Sequence, residues 1–158
     1  MNRIIKFRGK RIDNGEWICG YLFNDYNAGE LLIQHRVSDT VNPKWACWVI
    51  DPETVGQFTG LYDSTKWDRL TKEEQNKWLS SGKTEKEWNG KEIYEGDILK
   101  LRYDEMYELK GTVEYVPTGF RFISYTAKEQ PLLSAIVFDN FEIIGNIHEG
   151  TGPEKEER

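Results

Sequence analysis

The chain has 158 residues, 38% hydrophobic and 13% aromatic, with a net charge of −6. This length admits one domain or two small ones, burying about 70% of the unfolded surface, and the acidic balance argues against general attachment to a phosphate backbone or an anionic membrane. No apolar run approaches the ~20 residues of a membrane helix, and MNRIIKFRGK lacks the apolar core of a signal peptide, so a cytoplasmic protein with Cys19 and Cys47 as buried thiols is expected.

Six Trp, eight Tyr and seven Phe carry much of the apolar mass. Large rings suit pleated surfaces and interfaces, which predicts β structure and self-association. Residues 3 to 8 predict a first strand, with Ile5 and Phe7 on one face. Asp13-Asn14-Gly15 is a hairpin turn. In the return strand, 16 to 23, Trp17, Cys19, Tyr21 and Phe23 share one face, while Ile18 and Leu22 take the other. A strand covered on both sides is expected. Residues 31 to 37 and Trp45 to Ile50 read as further strands. Asp51-Pro52 interrupts, and the chain resumes as a strand from Thr54 to Gly60. Turn signals every eight to twelve residues mark residues 1–62 as an N-terminal β module.

Residues 63–90 read as a helical insertion that connects two β modules. Thr71-Lys72-Glu73-Glu74 has the form of a capping box, with Thr71 as N-cap and Glu74 at the third helical position. Gly82 is placed as the C-terminal stop. Thr84 to Glu87 repeats the box and predicts a further turn of helix ending near Trp88.

The second β module spans 91–149. Asn89-Gly90 and Glu95-Gly96-Asp97 predict tight turns. From Asp97 a strand sends Leu99, Leu101 and Tyr103 one way and Lys100 and Arg102 the other. Met106 to Lys110 lies near a bend. Thr112–Val116 and Phe120–Tyr125 form a hairpin around Pro117-Thr118-Gly119. Ala127 to Gln130 is a polar link, Leu132 to Phe138 reads as a strand or a short helical turn, and Asp139-Asn140 turns the chain. Phe141, Ile143, Gly145 and Ile147 alternate as a last strand, and 150–158 is a flexible tail. The runs GDILKL, GTVEY and GFRF resemble a small SH3-like barrel, an analogy of fold alone. The expected class is mainly β with a small helical insertion.

The residues with candidate chemistry also have plain packing roles open to them. Cys19, Cys47, His35 and His148 are the residue types of a zinc site or a thiol–imidazole pair, but they lack close ligand spacing. Glu95 and Asp97 flank a glycine, which predicts turn hydrogen bonding in place of acid–base work. No phosphate-cradling glycine motif is present. No catalytic residue, metal or cofactor is expected. Trp67, Trp78 and Trp88 are harder to bury within so short an insertion and must dock on a β module or another subunit. Most of the remaining large rings, Trp45, Trp48 and Phe58 among them, are expected in the core or between modules. Arg3, Lys6, Arg8, Lys10 and Arg11 form a basic cluster that alternates with Ile5 and Phe7. It is either a solvated edge that resists aggregation or a surface for an acidic partner or for a nucleic acid held by several subunits together.

KFRGKRIDNGEWICGYL, PETVGQFTGL, GKEIYEGDILK and FEIIGNIHE together resemble the YopX family, and the blocks run from Lys6 to Glu149. The segment from Tyr62 to Trp88 reads as an insertion relative to plainer members, which loop entropy tolerates. The resemblance implies a phage- or prophage-encoded, largely β protein of a bacterial host cell, without an assigned activity, assembling into ring-like homo-oligomers. The expected function is a non-catalytic protein acting through contacts with itself or with a host or phage protein. The alternative is a nucleic-acid-associated phage accessory protein. No membrane partner is expected.

Overall fold

The computed structural model describes residues 4–37, 41–102, 105, 108–125 and 141–149. Arg3, Tyr103, the bend at Met106, the link at 127–130, the apolar run 132–138, the Asp139-Asn140 turn and the tail 150–158 lie outside the described residues. The chain divides into two compact units, Met1–Gly60 and Leu61–Arg158. Residues 63–90 belong to the second of these.

The first unit is an antiparallel meander. Its strands are β1 (Phe7–Lys10), β2 (Trp17–Asp25), β3 (Glu30–Arg36), β4 (Trp45–Val49) and β5 (Gly56–Tyr62), which continues into the second unit. Four of them lie side by side as β4-β3-β2-β1, with β5 on the far side of β1. β1 starts later than the sequence predicts, at Phe7, because its partners are residues 17–20 and Gly56–Gln57. Between β4 and β5 a 3-10 turn, Pro52–Thr54, is capped by Asp51, whose carboxylate accepts the Glu53 amide at 3.0 Å. Among the described residues of this unit, Ile33, Ile50 and Phe58 are the fully buried apolar side chains. Ile33 and Ile50 close over Gly9, where an added Cβ would meet the Ile50 Cδ1 at 2.7 Å.

Two expectations for this unit are corrected. β2 is covered on one side only: Tyr21 is 61% exposed and Phe23 40%. The alternation was legible, but Tyr21 and Phe23 are left exposed, while at the start of the strand Arg8 and Lys10 lie over the Trp17 ring. Cys19 and Cys47 share that face and are both exposed, outside any disulfide, and not buried.

The second unit contains α1 (Lys72–Ser80) and the strands β6 (Glu92–Tyr94), β7 (Asp97–Arg102), β8 (Glu108–Val116), β9 (Gly119–Ser124) and β10 (Phe141–Asn146). β10, β7, β8 and β9 form a four-stranded antiparallel sheet in that order. Among the described residues this sheet does not close. It is compatible with a small SH3-like barrel, but β10 and β9 remain edges. The core is Ile93, Leu99, Leu101, Val113 and Phe122, with Leu61, Leu109, Phe120, Phe141 and Ile143 packed against it. The β6–β7 turn is pinned by the Asp97 carboxylate, which accepts the Tyr94 amide at 2.8 Å. Asp97 is 1% exposed, so a buried charge is held by a local amide, as turn chemistry predicts.

α1 opens on the predicted box. The Thr71 hydroxyl accepts the Glu74 amide at 3.2 Å, and the Glu74 carboxylate accepts the Thr71 amide at 2.8 Å. The box is repeated at Thr84 and Glu87, where only a 3-10 turn, Glu85–Glu87, follows. Asn89-Gly90 does not form the predicted tight turn. Gly90 (φ +113°) lies in an irregular crossing, where an added Cβ would sit 2.0 Å from the Asp63 carbonyl oxygen.

The candidate site is a row of indoles around Asp63

Asp63 is 4% exposed and serves as the hub of the second unit. One carboxylate oxygen accepts the Thr65 amide at 3.0 Å and the Lys91 amide at 2.7 Å. The other accepts the Thr65 hydroxyl at 2.8 Å and the Ile143 amide at 3.2 Å. Four donors from three separate segments satisfy the buried charge, as burial demands. Sequence reasoning passed over Asp63. Its only local signal is Asp-Ser-Thr after a strand, because two of its four bonds come from residues 28 and 80 positions away.

The hub fixes Thr65, and Thr65 fixes a tryptophan: the Trp88 indole N–H donates to the Thr65 carbonyl at 2.8 Å. Trp78, on the last turns of α1, donates its indole N–H to the Thr84 carbonyl at 2.8 Å. Trp67 is held through its backbone, whose carbonyl accepts the Gln75 amide group at 3.1 Å. The three rings form an edge-to-face row. Trp88 lies 5.0 Å from Trp78 at 85° and 6.1 Å from Trp67 at 64°. Such pairs contribute about 0.5–1.5 kcal/mol each beyond area burial. Lys83 stands 4.3 Å over the Trp78 ring. Glu74 ties the helix to the crossing segment through the Lys91 ammonium at 3.0 Å. The Thr71 amide, and after it Lys91, holds the Glu74 carboxyl below its ordinary range.

Two open clefts meet at Trp88. One, of about 890 Å³, is bounded by Thr65, Lys66, Trp67, Lys86 and Trp88. The other, of about 530 Å³, runs past Leu70, Lys77, Trp78 and Lys83. All three tryptophans remain half-buried, so the insertion does not hide its own rings. Trp45 and Trp48 are not core residues either, which corrects the core half of the expectation for them. Of the six tryptophans none is fully buried: Trp45 is exposed and Trp17 and Trp48 are partly covered. Of the rings expected inside, Phe58 is buried.

The other sequence candidates are distributed over both units. Lys6 lies 4.9 Å over the Phe58 ring and Arg8 4.8 Å over the Trp17 ring, both in the first unit. Glu95, in the β6–β7 turn, is raised above the ordinary carboxylate range by burial, with the Tyr115 amide opposing and Glu114 adding to the rise. His148 uses its backbone amide to bond the Asn146 side chain at 2.9 Å. Among the described residues no three His, Cys, Asp or Glu side chains cluster as metal ligands, and no helix is long and apolar enough to cross a membrane.

Neither a curated protein nor a solved structure matches the chain. A family model described as YopX protein matches residues 71–152. That stretch takes in α1, the Thr84 box, Trp78 and Trp88, the GKEIYEGDILK block and the closing FEIIGNIHE block. The match covers just over half of the chain, which therefore belongs to the YopX protein family.

Proposed function

We propose that this is a phage- or prophage-encoded, non-catalytic protein of the bacterial cytoplasm that works through protein–protein contact, chiefly with copies of itself. The observation that carries the proposal is the indole row. Trp67, Trp78 and Trp88 are locked by two indole hydrogen bonds and two edge-to-face contacts, yet stay half-buried beside two open clefts. Rigid aromatic side chains lose little entropy on docking, and tryptophan is enriched where binding energy concentrates. The ionisable groups nearby support a structural role. Asp63 and Glu74 spend their carboxylates on backbone amides and Lys91.

Native mass spectrometry at micromolar concentration tests the proposal. An oligomer that dissociates on Trp67→Ala or Trp88→Ala, with the fold retained, is the expected result. A strict monomer removes self-assembly. A monomer with catalytic turnover of any substrate removes the non-catalytic role as well.

A further inference from the structure

The first unit presents a different surface, and it stands independently of the assembly proposal. Antiparallel pairing sets Arg8 opposite Cys19, Lys10 opposite Trp17, Tyr21 opposite Gln34, Gln34 opposite Cys47, and Arg36 opposite Trp45. Residues directly paired across neighbouring strands project to the same side of a sheet. One side therefore gathers Arg8, Lys10 and Arg36 with Trp17, Tyr21 and Trp45. Contacts agree with the register. Arg8 and Lys10 lie 4.8 and 5.4 Å from the Trp17 ring centre, and Tyr21 and Trp45 are 6.1 Å apart, tilted by 48°. Tyr21 and Trp45 are 61% and 46% exposed.

The charge balance has the matching sense. Residues 1–60 hold seven Lys or Arg against seven Asp or Glu, and residues 61–158 hold 14 against 20. The whole net charge of −6 thus belongs to the second unit. Three acids of the first unit act at its turns. Asp13 pairs with Arg11, Asp25 accepts the Asn27 and Ala28 amides, and Asp51 caps the 3-10 turn.

We infer that this face binds single-stranded nucleic acid, bases stacking on Tyr21 and Trp45 and phosphates meeting Arg8, Lys10 and Arg36. Flat exposed rings alternating with cations match a strand whose bases are free to stack, with little sequence preference. A duplex hides its base faces and would engage the cations alone. An acidic peptide would meet the cations but leave the rings without stacking partners. Three phosphate contacts give a salt slope of about −2, hence a loss of about 20-fold in affinity between about 50 and 200 mM salt.

The test is fluorescence anisotropy of a labelled oligothymidylate titrated with the intact chain, beside a duplex of equal length and a polyglutamate. The expected result is saturable binding with that salt dependence and weaker binding to the duplex. Tyr21→Ala should cost about 5- to 150-fold, and Arg36→Glu about tenfold at low salt. Tyr26→Ala, at a turn residue 89% exposed, should leave binding unchanged. Circular dichroism of each variant guards against unfolding. No anisotropy change at about 100 µM protein in low salt overturns the inference. So does equal binding of duplex, equal binding by a folded Tyr21→Ala variant, or polyglutamate competing as tightly, which would make the face a site for acidic proteins.

Discussion

Replacing Asp63 with alanine is the most direct challenge to the hub. The carboxylate accepts four hydrogen bonds, two from Thr65 and one each from the Lys91 and Ile143 amides. Thr65 is partly exposed and can turn to water, so its share is discounted. The Lys91 and Ile143 amides lie at segment crossings and lose their acceptor. Leaving a covered donor unsatisfied costs about 1–3 kcal/mol, and these two residues are partly covered as Thr65 is, so the pair sets a loss of about 2 kcal/mol. Asp63→Asn keeps the volume and one acceptor oxygen, but its NH₂ faces donors, so about half that loss is expected. Urea unfolding followed by tryptophan emission measures both. Because Thr65 carries the acceptor for the Trp88 indole, Asp63→Ala should also shift Trp88 emission before the main transition. A loss below about 1 kcal/mol, with Trp88 emission unchanged, would refute the hub.

Glu95 has its pKa raised by burial, so between the ordinary carboxylate value and the raised one the native state holds more protons than the unfolded chain. Stability then falls as pH rises through that window, and Glu95 opposes folding above it. Glu95→Gln should flatten the decline and raise neutral-pH stability; an unaltered pH–stability curve counts against it. Gly90→Ala drives a Cβ to 2.0 Å from the Asp63 carbonyl oxygen at φ +113°, and should cost several-fold more than Gly29→Ala, at φ +68° in open space, where about 1 kcal/mol is expected. Comparable losses at the two positions, read from thermal melts, would contradict the close crossing. Both thiols should react with a maleimide in the native chain, since Cys19 and Cys47 are exposed. Protection of either until denaturant is added would show that the face is covered.

Local chemistry carried far in this chain. The capping box at Thr71 and Glu74 starts a helix where it was expected, because its hydrogen bonds close within four residues. The Pro117 to Gly119 turn joins the antiparallel strands β8 and β9 for the same reason, and Glu95-Gly96 turns the chain from β6 into β7. Alternation placed Cys19, Tyr21 and Phe23 together correctly but could not say whether anything lay over them. The indole trio was legible as a problem of burial, and the family was legible from four scattered blocks, of which two lie within the matched stretch.

The sequence by itself determined a mainly β chain, most of the turns among the described residues, the capped helix at Thr71 and the family, since those follow from short-range geometry and pattern. Only the tertiary structure decided that the cysteines face outward, that the tryptophans stop half-way to burial, and that Asp63 joins segments up to 80 residues apart. Burial and long-range hydrogen bonding depend on what arrives opposite a residue, and that information resides in the register of distant strands, not in the residue's own neighbours.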